Sequence, residues 1–593
     1  MTVCAWLNHS IYGKNAQKRM ILPLYGKRQT EWPSIQRPGH QREFTRGLGW
    51  KSGLFLHCVF FLVIVSLLQP ANAQETQALP TFEELEAEGA IIGEIRIENQ
   101  NIFDLDDPRE NNALYRLTNK LHIRTRPSVI RRALLFKSGE PVSAQVIEES
   151  ERLLYSSGFL YEATIRPIAY RDGIVDVEVI THDTWTLDPG LGFSRSGGDN
   201  KSSFGLSELN LFGTGIAIEY KQSNNDGVTT EQFQYRQPQL FGTRGVINYV
   251  YDELENGDRQ AVSVVRPFYE LDARWSAGVS GFTSDILESA YTNGIVSGQY
   301  RVERKSASVF GGWSKGLING WTRRYSVGLD YTKEINSEAP GQPAPPTLPA
   351  DEIRVAPFVR FSIVEDNFAK LTNRDQIERA EYFELGFRAN IKVGYGATAL
   401  GSTRPSWSYT AAISNGLEMK NARMLVAAAG VTGIYADGDD EDQLFSGGLK
   451  YYIPRSDRAL TFFGVAADVA SDKLLSGQLT VGGNNGLPGY PTDYQSGDRR
   501  ALLNFEQRIY SDWYPFRLFR VGGAVFLDAG SAWGDESTGR IQPDWLVDVG
   551  FGLRIFSTRS AFGTVWHLDF AFPIDPADDI PSYQVLLLRK TSF

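Results

Sequence analysis

The chain has almost no cysteine: two in 593 residues, Cys4 and Cys58, both among the first 73 positions. From residue 74 onward there is therefore no thiol for a disulfide framework, a nucleophile or a metal site. Histidine is nearly as scarce, and past residue 73 only His122, His182 and His567 remain as imidazoles for a metal or a general base. Basic residues are also in short supply. The whole chain carries 60 Lys+Arg against 70 Asp+Glu, and from residue 74 the balance is 51 to 68, a net charge of −17. Such a chain is not expected to bind nucleic acid. Long apolar runs are missing too: after Ala73 no stretch of 18 apolar residues occurs, so no further transmembrane helix is expected. What is abundant is 57 Gly, 12% aromatic residues and 42% hydrophobic residues, which excludes disorder by composition.

One apolar run stands near the start. Leu54–Leu68 reads LFLHCVFFLVIVSLL, with Arg46 and Lys51 before it and Ala71-Asn72-Ala73 after it. A short apolar core between basic residues and small residues at cleavage spacing predicts a signal peptide, cut after Ala73 with Ala71 and Ala73 as the small pair. The run is shorter than the ~20 residues a spanning helix needs. Its n-region is long, and Met20 is the only internal methionine ahead of the core. An exported chain without helical spans is a soluble protein or a barrel. Glycine and aromatic richness favours a barrel in the outer membrane of a didermous bacterium.

Residues 74–90 are polar and acidic and read as a linker or short helix. In 91–183 the expected order is β-α-α-β-β. Ile91–Ile97 alternates apolar and charged residues, Pro127 and Ser128 open a helix, and a second helix runs from Ser143 toward Gly158. Two strands then meet at Asp172-Gly173, the dipeptide a tight hairpin favours. Residues 104–126 form a polar excursion with no assigned role. With Lys137-Ser-Gly139-Glu-Pro141 and Leu153-Leu154-Tyr155-Ser-Ser-Gly158-Phe159, this segment resembles a POTRA domain (polypeptide-transport-associated).

Residues 184–593 lack an amphipathic helix and repeat short alternating runs split by turn residues. Ile247, Tyr249 and Tyr251 lead through Asn256-Gly257 into Ala261–Val265, and Tyr325–Tyr331 and Phe383–Ile391 show the same habit. In lipid only a closed barrel satisfies the hydrogen bonds of strands, so an antiparallel β-barrel is expected. At about 25 residues per strand and turn, the segment accommodates about 16 strands. The Pro-rich 337–349 and the acidic 437–442 read as outer loops. The fold class is thus mainly β, a transmembrane barrel behind one small α+β domain.

Two turns share a pattern, Leu211-Phe212-Gly213-Thr214-Gly215 and Leu240-Phe241-Gly242-Thr243-Arg-Gly245. Further on come Val481-Gly-Gly-Asn-Asn-Gly486-Leu487-Pro488-Gly489-Tyr490-Pro491, Glu506 in Asn504–Arg508, Asp528 in Phe526–Gly530, Val549–Arg554, Leu568–Pro573 and a terminal Phe593. In this order the set resembles the BamA/TamA outer-membrane assembly and secretion superfamily. The resemblance implies that Gly486, Leu487, Pro488, Gly489 and Tyr490 form a lumenal loop. Glu506 and Asp528 would then be barrel-wall carboxylates facing it, and Tyr583, Val585, Leu587 and Phe593 a C-terminal barrel signal. The family's loop arginine falls at Pro488, which neither donates nor carries charge. Arg499 or Arg500 stands near enough in sequence to replace it.

The resemblance also implies function. A POTRA domain would offer a sheet edge to unfolded clients, and the barrel would insert or translocate them, among outer-membrane lipids and with periplasmic or inner-membrane accessory proteins. No cofactor, metal or enzymatic activity is expected. The alternatives are a dedicated two-partner transporter and a passive pore or surface antigen. His567 and Asp569 share a strand face, which leaves a His–Asp dyad sterically open but a packing histidine favoured.

Overall fold

The computed structural model describes residues 79–590 apart from 197–198, 226–227, 293–294, 342, 345–347, 438, 471–478, 484, 535–541, 562 and 579. The signal peptide with Ala71 and Ala73, and the terminal Phe593, lie outside the described residues.

A short helix, α1 (Phe82–Ala87), opens the small domain through a capping box, Thr81 accepting from the Glu84 amide while Glu84 bonds back to the Thr81 amide. Its Leu85 is fully buried in the domain core, so 82–90 is packed onto the domain and not a free linker. β1 (Ile91–Gln100), α2 (Ala113–Leu121), α3 (Pro127–Ala133), α4 (Ala144–Tyr155), β2 (Leu160–Arg171) and β3 (Ile174–Asp183) follow. The sheet order is β1-β3-β2, with β1 parallel to β3. Asp172 and Gly173 both take positive φ, as a two-residue type I′ turn requires. Val175, Val177 and Val179 on central β3 are fully buried. At ~1.5–3 kcal/mol for each buried aliphatic side chain, this row is a main source of the domain's stability. The unassigned excursion 104–126 contains α2, capped by the Asn112 side chain on the Tyr115 amide.

Behind β3 the chain enters a closed antiparallel barrel whose strands run from Leu187–Ser196 to Gln584–Lys590. Among the described residues the barrel has twenty strands, not about sixteen. The lower expectation allowed too much chain per turn. Many hairpins close in two residues, as between Leu254 and Gly257, and others in four, as between Leu211 and Ile216. An even strand count returns the last strand to the end where the small domain sits.

The wall alternates as its sequence does. On Trp321–Glu338, Val327 and Leu329 point out and are exposed, while Ser326 points in and is buried. The outer face carries aromatic rows at both ends. Trp275, Trp313, Tyr325 and Phe361 sit side by side across four strands near the domain end. Tyr395, Trp407 and Tyr435 do so near the far end. Aliphatic residues between two aromatic girdles match a wall facing lipid.

Candidate functional site

The glycine-rich tract forms an inward loop at the far end of the barrel. Its stem is a two-stranded ribbon, Leu479–Val481 paired with Gln495–Gly497. Within the stem, Asn485 and Thr480 both donate to Asp493. The tip packs on the inner wall: Leu487 and Tyr490 are buried with Val481, Ala532 and Ile580. Gly489 is required by closeness, since a Cβ there would lie 2.7 Å from the Asp548 Cβ and 3.1 Å from the Pro573 nitrogen. The Gly489 amide donates to Asp548 Oδ2 at 2.8 Å, and the Tyr490 hydroxyl donates to the Val547 carbonyl at 3.1 Å.

The attachment keeps the polarity the resemblance implies, a loop donor on a wall carboxylate, but uses a backbone amide and a different carboxylate. Glu506 and Asp528 do point into the lumen, but their partners are on the wall: Glu506 accepts from Arg508 and Asp528 from Asn504. The carboxylate that reaches the loop is Asp548, beside Asp528 on the next strand, and it holds a backbone amide. Pro488 therefore needs no side-chain donor. Arg500, on the wall strand Arg499–Tyr510, reaches back to the stem, donating to the Thr480 carbonyl at 3.2 Å and to Asp468 at 2.7 and 2.9 Å. Arg499 instead lies 3.7 Å from neighbouring Asp498.

A second insertion closes the domain end, and the sequence reading missed it. Between the wall strands Glu352–Glu365 and Arg388–Gly396, Phe368–Thr372 pairs with Ala380–Glu384 in a hairpin outside the barrel ladder. Its tip reaches the opposite wall. Ile377 is fully buried with Met424, Tyr452, Phe462, Tyr510 and Phe556. Arg508 donates to the Arg374 carbonyl at 2.6 Å, Tyr452 to Asp375 at 2.9 Å and Tyr510 to the Asn373 carbonyl at 3.0 Å. Arg520 pairs with Glu378 at 2.5 Å. Inside the tip, Glu381 accepts the amides of Arg374 and Asp375, each at 2.9 Å.

The small domain rests on this hairpin and on the adjacent turns. Tyr155 of α4 donates to the Ala380 carbonyl. Arg152 lies over the Phe368 ring at 3.7 Å. Glu149 accepts the Leu271 amide at 2.8 Å, and its burial raises that carboxyl above the usual range. On other sides of the mouth Arg126 donates to the Phe212 carbonyl, Arg244 to that of Leu134, and Arg559 pairs with Glu110. The repeated Leu-Phe-Gly-Thr turns are thus docking points. A Cβ at Gly213 would meet the Arg124 carbonyl oxygen at 2.3 Å.

The ring closes between its last and first strands. Gln584–Lys590 pairs with its predecessor over seven residues, from Val565↔Lys590 to Ala571↔Gln584. Among the described residues it meets Leu187–Ser196 at Leu587↔Arg195. Arg589 adds an ion pair to Asp188 at 3.4 Å across this seam. On the last strand Gln584 and Leu586 are buried, which places Tyr583, Val585 and Leu587 on the opposite, outer face. His567 and Asp569 share the inner face at 3.9 Å, and Asp569 is engaged by Arg554.

No protein-family model matches the chain, and no curated protein matches its sequence. Solved structures do. BamA from Haemophilus ducreyi lacking POTRA domains 1–3 aligns over 84% of each chain at 14% identity with a TM-score of 0.36. CdiB from Acinetobacter baumannii aligns over 85% of this chain and 74% of its own at 11% identity and 0.43. CdiB from Escherichia coli aligns over 84% and 76% at 12% identity and 0.41.

Proposed function

We propose that this chain is an outer-membrane protein of the BamA/TamA-like superfamily that helps proteins insert into or cross the outer membrane. In this reading 91–183 is a POTRA-like domain in the periplasm, unfolded clients meet it there, and the barrel stands in outer-membrane lipid. The observation that carries the reading is a closed antiparallel barrel with a small α+β domain docked on one mouth. In this reading the seam between Leu187–Ser196 and Gln584–Lys590 parts. Edges exposed by its parting would offer unpaired N–H and C=O groups to an extended client strand. The lumen, with a loop at one end and a hairpin at the other, suits a gated conduit better than a passive pore.

The test is a disulfide across the seam. The chain has no cysteine after residue 73, so Arg195→Cys with Leu587→Cys introduces a single pair at directly opposed positions. Oxidised cells are expected to lose client proteins from the outer membrane or the medium, and reduction should restore them. Loss of many barrel proteins identifies a general insertase, loss of one exported protein a dedicated transporter. Normal outer-membrane and secreted proteomes with the seam locked would refute seam opening.

A further inference from the structure

Helix α2 occupies the excursion 104–126 and presents an apolar stripe to the outside. Leu114, Leu117 and Leu121, at i, i+3 and i+7, are 61%, 51% and 64% exposed, and Ile123 continues the line at 55%. Exposed Arg116, Lys120 and Arg124 flank the stripe. The opposite face is packed, with Tyr115 stacked on Phe103 and Asn119 bonded to the Phe103 backbone. This face is not left over from a core that closes elsewhere, because both ends of the segment are pinned to the barrel rim. At one end Tyr115 donates to the Phe516 carbonyl. At the other the Arg126 amide donates to the Gly213 carbonyl at 2.9 Å, and Asn210 donates to Thr125 at 2.7 Å.

The rim turns point to the occupant. Phe212, Phe241 and Phe516 all adopt left-handed backbone, with φ of 53°, 52° and 54°, a conformation disfavoured for a residue with a β-carbon. Their rings are also 61%, 90% and 74% exposed to solvent, beside Trp513 at 65%. A strained backbone that presents an aromatic ring to water loses twice; one that presents it to lipid recovers the burial. Outward Ile509 and Val525 carry the apolar outer wall toward the same rim.

We propose that α2 lies flat on the phospholipid leaflet facing the small domain. Leu114, Leu117, Leu121 and Ile123 sit among the acyl chains, level with Phe212 and Phe516, while Arg116, Lys120 and Arg124 meet anionic headgroup phosphates. This rests on the barrel spanning a membrane. The anchor runs along the rim from the turn after Arg499–Tyr510 to the turn after Asp199–Leu211, and so passes under the seam.

The test uses the chain purified from outer membranes, in which the only cysteine is the one introduced. Leu117→Cys and Leu121→Cys, each carrying an environment-sensitive fluorophore, are reconstituted in vesicles of phosphatidylethanolamine and phosphatidylglycerol with brominated acyl chains. Val525→Cys on the barrel exterior and Arg171→Cys at the far pole of the domain serve as references. Labels at 117 and 121 are expected to be blue-shifted and quenched by the bromines as the 525 label is, with the 171 label unquenched. Quenching at 525 but free access of iodide to 117 and 121 would overturn the helix anchor alone and assign the stripe to a protein partner. No quenching at 525 would overturn the membrane reading with it.

Discussion

If clients or solutes pass the lumen, the hairpin tip must leave it, and Ile377 is the residue whose loss should make that easiest. Its side chain is fully buried among Met424, Tyr452, Phe462 and Tyr510 when the hairpin is in place, and would be solvated when the tip swings out. Ile377→Ala removes three carbons, worth about 0.8 kcal/mol each in transfer. The cavity left behind brings the expected loss into the ~2–5 kcal/mol range of buried Ile→Ala changes. A loss of ~2.7 kcal/mol raises the ratio of open to closed states about a hundredfold. Single-channel recording in planar bilayers measures that ratio directly. Ile377→Val should raise it about tenfold or less. The barrel itself should be unchanged, since no ladder bond involves this residue; resistance to unfolding in detergent checks it. An Ile377→Ala open fraction within a factor of three of the parent would refute the hairpin as the closure.

Asp548→Ala removes the acceptor for the Gly489 amide and should free the far-end loop, at a cost of about 1–3 kcal/mol for a buried donor left unpaired. Added protease should then cleave 482–493 from the outer side faster, whereas Asp548→Asn, which keeps an acceptor oxygen, should stay protected. For Glu149 the sign follows from its raised pKa. The contribution of this carboxyl to domain docking is fully present below its unfolded pKa of about 4.3 and is lost as pH rises through the raised folded value. Glu149→Gln should therefore stabilise the junction at pH 8 relative to the parent, with the difference fading toward pH 4. Thermal unfolding across that interval checks it, and an equal effect at both ends would refute the burial argument.

Much of the architecture is legible in the sequence because a barrel with an apolar outer face and a polar lumen enforces alternation along each strand. Val549, Phe551 and Leu553 point out, between buried Asp548 and Arg554, as their period of two requires. Turns with Gly or Asn were legible for the same steric reason. What escaped reading were contacts made by backbone. Asp548 is one inward polar residue among many, and only the fold shows that it receives the Gly489 amide. The hairpin hides because its tip, Asn373-Arg374-Asp375-Gln376, has the composition of a solvated loop. Its burial depends on Arg508, Tyr452 and Tyr510, remote in sequence. Helix α2 was hidden by its basic residues, which mask a stripe of three leucines.

The width of the ring has a consequence beyond the molecule. A barrel's bore grows with its strand number, and twenty strands enclose far more than side chains alone can fill. Left empty, such a bore would pass solutes well beyond the size of single amino acids. If the barrel stands in an outer membrane as proposed, the hairpin and the far-end loop are what keep its bore from being a leak, whether or not a client is in transit.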